Sequence, residues 1–178
     1  MTSPSIRPAL PADIPAIAAI YADAVLNGTA SWELDPPGEA EMRRRYEAIR
    51  TEGYPYLVAE KHAAVLGYAY AGPYRPRPAY RSTVENSIYV APQAQGAGIG
   101  RALLAALIAD CSAQGFRQMM AVIGDGTGAS VGSRRLHEAA GFRLVGVAEK
   151  VGFKHGRWLD QLLMQKELGE GHRSPPAR

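Results

Sequence analysis

The chain has 178 residues, of which 47% are apolar and 21% charged, and its formal net charge is +3. That size suits one domain around one core, and the composition is that of an ordinary globular protein. No stretch nears the roughly 18 consecutive apolar residues of a membrane span, and the dispersed basic residues lack the aromatic-laced patch of a nucleic-acid binder.

In chain order, Ser5 to Pro8 opens as a short strand, and Pro11 starts a helix with Ile14, Ile17, Ala18, Tyr21 and Val25 on one face. Asn27-Gly28 ends it, and a loop through Trp32 to Pro37 leads to a second helix, Glu39 to Thr51. Pro55 to Glu60 and Val65 to Tyr74 read as strands. The proline- and arginine-rich loop Arg75 to Arg81 precedes another, Val84 to Val90, which Pro92 stops. A glycine-rich turn then enters a long helix, Gly98 to Gln114, with Ile99, Leu103, Leu107 and Cys111 as its buried stripe. Gln118 to Ile123 is a strand, Ser133 to Ala140 a short helix closed by Gly141, and Phe142 to Glu149 and Trp158 to Gln165 are the last strands. The order β-α-α-β-β-β-α-β-α-β-β predicts an α/β (α+β) fold, a mixed sheet of about seven strands with helices on both faces. Residues 1–168 form one domain in this reading, and the polar tail 169–178 is expected to fray.

The start MTSPSIRPALPADIP lacks the basic-then-apolar order of a signal peptide. The single cysteine, Cys111, excludes an internal disulfide framework, so the cytoplasm is the expected compartment. His62, His137, His155 and His172 are scattered without ligand spacing, and no metal site is expected.

The sharpest local signal is Gln95-Gly96-Ala97-Gly98-Ile99-Gly100-Arg101, between a strand and a helix. Glycines let the backbone approach an anion closely, and the first amides of the helix have no internal partner, so a pyrophosphate suits the turn, with Arg101 as a further cation. A Walker A loop would end in Gly-Lys-Ser/Thr, which is absent. A dinucleotide fingerprint would need a third glycine where Arg101 stands. Gln95, Gly98 and Gly100 do satisfy Gln/Arg-x-x-Gly-x-Gly/Ala, the coenzyme A pyrophosphate loop of the GNAT acetyltransferases. A merely tight strand-helix turn is the bland alternative, and the order of surrounding elements favours the coenzyme A loop.

From about Ile6 to Leu168 the chain resembles the phosphinothricin and methionine sulfoximine N-acetyltransferases of that superfamily. The resemblance is carried by YPYLVAE (Tyr54 to Glu60), GYAYAGPYRPRPAYRSTVENSIYVAP (Gly67 to Pro92), RRLHEAAGF (Arg134 to Phe142) and VGFKHGRWLD (Val151 to Asp160). It implies a GNAT fold, acetyl-CoA as co-substrate and a homodimer with sites near the subunit seam. It implies that Ile88, Tyr89 and Val90 offer main-chain groups to the pantetheine arm, that Gly96 to Arg101 hold the pyrophosphate, and that Arg75, Pro76 and Arg77 receive the substrate's acidic end together with Glu85, Asn86 and Ser87. Ser133 opens the helix beside the cofactor. Ser130 stands where the group usually has asparagine, with a shorter hydrogen-bonding reach.

Acetyl transfer to an amine needs a base for the ammonium proton, and Glu85 is the only acidic group in the strand expected to line the cofactor. His137 takes the place where many relatives carry a tyrosine general acid, and a histidine near neutral pKa can serve there. Arg75 and Arg77 suit a carboxylate or phosphinate, since guanidinium presents parallel donors. Trp32 and Trp158 suit lining the substrate pocket or a dimer seam, with core or interface packing as the default, and Cys111 on an apolar helix stripe reads as core. The expected activity is therefore acetyl transfer to the α-amino group of an amino-acid-like substrate. The alternatives are another amine acceptor, or a non-catalytic acyl-CoA-binding sensor.

Overall fold

The computed structural model describes residues 4–126, 128 and 130–176; the glycine-rich stretch before the LHE helix and the tail therefore fall partly outside the described residues. Its strands are β1 (Ser5–Pro8), β2 (Tyr56–Lys61), β3 (Ala64–Pro73), β4 (Thr83–Val90), β5 (Gln118–Gly124), β6 (Arg143–Lys154) and β7 (Arg157–Glu167). Its helices are α1 (Ile14–Asn27), α2 (Glu39–Thr51), α3 (Ile99–Ala113) and α4 (Val131–Ala139). The strands form one sheet in the order β1-β2-β3-β4-β5-β7-β6. Only β4 and β5 pair in parallel; the other five pairings among the described residues are antiparallel.

Strand alternation sends successive side chains to opposite faces. On β3, Gly67 faces α3, where an added Cβ would crowd Ile99 and Leu103, whereas Gly72 faces Ile49 of α2. Tyr68 and Tyr70 share the α2 side, stacked with Tyr56 of β2. Tyr21 of α1 meets Tyr89 of β4 edge-on at 5.0 Å. The apolar stripe on α3 is fully used: Leu103, Leu104, Leu107 and Cys111 are all sealed from solvent. Each such leucine contributes about 1.5–3 kcal/mol relative to leaving it exposed, enough to fix α3 on the sheet.

Several boundaries differ from the sequence reading, and three of them have a visible cause or consequence. Pro11 begins a 3-10 turn, Pro11–Asp13, and α1 proper starts at Ile14. The turn is pinned because the carboxylate of Asp13 accepts the Leu10 amide at 2.7 Å and both terminal nitrogens of Arg7. Helix α4 starts at Val131, two residues early. Strand β6 continues to Lys154, since the register shift between Ala148 and Gly152, with Lys150 at φ 54°, interrupts the pattern without ending the pairing to β7. Beyond Leu168 the chain turns back, and the guanidinium of Arg117 donates to Ser174 Oγ and to the Pro175 carbonyl. Among the described residues no helix is long and apolar enough to cross a membrane.

Candidate active site

The site begins where β4 and β5 part. Their ladder runs from Thr83 opposite Gln118 to Asn86 opposite Ala121 and stops, although β4 continues to Val90 and β5 to Gly124. Asn86 closes the fork. Its buried amide donates to the Met120 carbonyl at 2.9 Å, and its Oδ1 lies 3.0 Å from His137 Nε2. Beyond it, the edge of Ser87 to Val90 that faces β5 has no strand opposite.

A cavity of about 420 Å³ occupies the parting, walled by Glu85, Ser87, Ile88 and Tyr89 on one side and by Val122, Gly124, Ser133 and His137 on the other. Alternation puts Glu85, Ser87 and Tyr89 on the α1–α2 side of the sheet and Asn86 on the α4 side, so the cavity passes through the sheet. Glu85 and His137 thus reach it from opposite faces. Residues Ala30 to Glu33 of the loop after α1 roof it.

Cavity and cofactor turn are continuous. A second cavity, of about 570 Å³, is lined by Gln95, Gly96, Gly98, Ile99, Gly100 and Arg101, and it shares Ile88, Ser130 and Ser133 with the first. Gly96 (φ 75°) and Gly98 (φ 80°) are both left-handed, and added Cβ atoms there would meet nothing within 4 Å. Glycine is needed for the backbone angle, and the space above it is open to a ligand. The amide of Ala102 makes the first helical bond, to the Gly98 carbonyl, and no side chain caps the amides before it. With Arg101 and Arg135 on the wall, these donors fit a pyrophosphate. Of the turn, only Ala97 lies outside this wall. Arg135 on this wall is a residue that sequence reasoning passed over.

Ser130 lies at the junction of the cavities and bonds Thr29 Oγ1 at 3.2 Å, so its hydroxyl already has a protein partner. Ser87 sits opposite Tyr70 in the β3–β4 register. Glu85 is more than half buried and makes no hydrogen bond or ion pair among the described residues; desolvation raises its pKa above the ordinary carboxylate range. His137 is buried, and its environment pushes its pKa down, chiefly through desolvation. Both its nitrogens meet carbonyl oxygens, Nδ1 that of Ser133 at 2.8 Å and Nε2 that of the Asn86 amide.

Glu85 and Gln161 also line a third cavity, of about 580 Å³, with Tyr74, Arg75 and Val145 to Ala148 of β6. Arg75 is exposed, its guanidinium 5.2 Å from the centre of the Tyr74 ring and 5.8 Å from that of Tyr80. It has no carboxylate partner among the described residues. Pro76 and Arg77 are exposed and belong to none of the three cavities. Among the described residues no three His, Cys, Asp or Glu side chains gather as metal ligands would.

Comparison with known proteins agrees with this geometry. Residues 6–163 match the model of the acetyltransferase (GNAT) domain. A phosphinothricin N-acetyltransferase of Alcaligenes faecalis is 53% identical over 165 residues, which are 92% of this chain and 82% of that protein. An L-methionine sulfoximine/L-methionine sulfone acetyltransferase of Pseudomonas paraeruginosa is 45% identical, covering 97% and 99%. The crystal structure of a GNAT superfamily phosphinothricin acetyltransferase from Sinorhizobium meliloti, in complex with AcCoA, superposes with a TM-score of 0.94 at 51% identity, covering 99% of this chain and 95% of that one. The chain belongs to the GNAT acetyltransferases, and its class of reaction is acetyl transfer from acetyl-CoA to nitrogen.

The burial of Glu85 has a consequence for stability. Because its folded pKa is raised, the native state is favoured by protonation, and that advantage is lost as pH rises through the folded value. Glu85→Gln is expected to raise the melting temperature at pH 7–8, with the gain vanishing below about pH 4, where the carboxyl is protonated in both states. Thermal melts across pH check this.

Proposed function

We propose that the chain transfers the acetyl group of acetyl-CoA to the α-amino group of a small amino-acid-like compound, in the class of phosphinothricin, methionine sulfoximine or methionine sulfone. The single observation that carries this reading is the position of Glu85, which lines both the cavity in the strand parting and the cavity bearing Arg75. An acceptor whose anionic end meets Arg75 brings its amine to Glu85, facing a thioester laid along Ile88 to Val90.

In this reading Glu85 removes the ammonium proton, and the upward push that burial gives its pKa makes the carboxylate a stronger base. The amine then attacks the thioester carbonyl, whose developing oxyanion meets a main-chain amide of the Ile88 to Val90 edge. The new C–N bond forms as the C–S bond breaks, and the sulfur leaves as thiolate and takes up a proton. A proton-donor role for His137 requires Nε2 to turn from Asn86, and burial pushes the ring toward its neutral form. A neutral ring donates from one nitrogen only, and donation from Nε2 to Asn86 Oδ1 favours a positioning role instead, holding Asn86 at the fork. Ser130, Ser133 and the turn Gln95 to Arg101 hold the cofactor. Arg77 with Pro76 shapes the outer lip of the Arg75 loop.

We also propose a homodimer. The edge strand β6 and its hairpin leave Val145, Val147, Val151, Phe153 and Trp158 between 43% and 61% exposed, and β6 walls the Arg75 cavity, so a second copy seated there would lie against the acceptor site.

Thiol release from acetyl-CoA tests the function. Turnover is expected with phosphinothricin, methionine sulfoximine or methionine sulfone and not with polyamines. Glu85→Gln is expected to lower kcat about 10²–10⁴-fold while acetyl-CoA affinity by calorimetry is retained. Full activity of that variant across pH would remove Glu85 as the base. Arg75→Ala is expected to raise the acceptor KM about 10–100-fold, the loss of one charge-assisted contact. Trp158→Asp is expected to yield monomers by light scattering.

A further inference from the structure

The hairpin between β6 and β7 ends in Lys154-His155-Gly156-Arg157, part of the stretch FKHGRW, for which the reaction itself has no use. Positive φ at His155 (51°) and Gly156 (71°) makes this the two-residue turn whose twist matches the flanking strands. From the turn, three side chains reach across the molecule. Lys154 Nζ donates to the Ser31 carbonyl at 2.7 Å, His155 Nε2 to the Gly28 carbonyl at 3.1 Å, and Arg157 to Asp125 Oδ2 at 2.6 Å. Two of the three acceptors are main-chain carbonyls of the loop after α1, so the grip sets that loop's backbone path.

Lys154 is only 4% exposed, although lysine is among the residues least often buried. What it holds is the roof of the cavity beside Glu85. Trp32, next to the gripped Ser31, lines that cavity. Its indole rests on two glycines from different strands, Gly124 of β5 and Gly152 of β6. A Cβ at Gly124 would collide with the indole nitrogen, and one at Gly152 would come within 2.5–2.8 Å of three ring carbons. The indole N–H is buried without a hydrogen-bond partner, so shape and the grip on the neighbouring backbone, rather than a bond of its own, hold the ring in place.

We infer that the Lys154–Arg157 hairpin tip is a clasp that fixes the roof of the acceptor cavity, with Lys154 as a positioning residue for Trp32 and Trp32 as the side chain that limits acceptor bulk. This rests on reading that cavity as the acceptor site.

The chain has two tryptophans, so a Trp158→Phe background makes Trp32 the sole reporter. In that background, Lys154→Met keeps the stem and removes the donor. Its acceptor KM is expected to rise about tenfold, as for one lost charge-assisted hydrogen bond. Its kcat and acetyl-CoA KM are expected to stay close to those of the background. Trp32 emission is expected to shift to the red and become more accessible to acrylamide. Gly152→Ala, which leaves the clasp intact, is expected to shift the emission likewise and to penalise bulky acceptors more than small ones. Unchanged emission and acceptor KM in both variants would overturn the inference, as would an equal loss in acceptor and acetyl-CoA terms. Should Lys154→Met fail to fold, Gly152→Ala decides. If the parent protein acetylates none of the amino-acid-like amines, the proposed function fails, while the emission of Trp32 still judges the clasp.

Discussion

Parallel strands that pair for four residues and then separate leave main-chain donors and acceptors pointing into the middle of a sheet. Everything else in the site answers to the separation of β4 from β5 at Asn86 and Ala121. Because consecutive residues of β4 face opposite sides, the gap gives groups on both faces access to one volume, and Glu85 and His137 share a cavity without sharing a face of the sheet. Buried main-chain groups need partners. An extended ligand with amides of its own, laid along Ser87 to Val90, supplies them in the manner of an added strand.

Asn86 has the narrowest task. Its amide spans from β4 to Met120 and on to His137, tying the sheet to α4 at the last paired position. The two titratable groups nearby are both pushed toward their neutral forms by burial, the carboxyl of Glu85 upward and the imidazole of His137 downward. A carboxylate whose pKa is raised takes up a proton more readily, which suits a reaction whose nucleophile must first lose one.

Much of this was legible in the sequence where a local rule dictates it. Gly96 and Gly98 announce themselves because only glycine takes those backbone angles at no cost, and the stripe on α3 repeats with helical period. Element order was readable for the same reason. The roof was not. Nothing near Trp32 in the chain says that Gly124 and Gly152, from strands some 90 and 120 residues later, form its seat. Lys154 lies between the last two strands read from the sequence, where nothing local foretells its burial, and only tertiary packing buries it. Arg75 and Arg77 look equivalent in sequence, yet Arg75 lines one cavity with Glu85 and Arg77 lines none of the three. Pro11 misplaced a helix start for a local reason, since Asp13 stabilises a tighter turn first.

Cys111 lies at 0% exposure on the inner side of α3, and it is the one sulfhydryl the chain possesses. For an enzyme whose turnover liberates a sulfhydryl, that burial has a practical effect. An aromatic disulfide dye added to the folded protein meets only the coenzyme's sulfur, so the colour that develops counts catalytic events and not the catalyst. Colour from the protein itself then marks unfolding, which makes the same reagent a gauge of how much of a preparation is native.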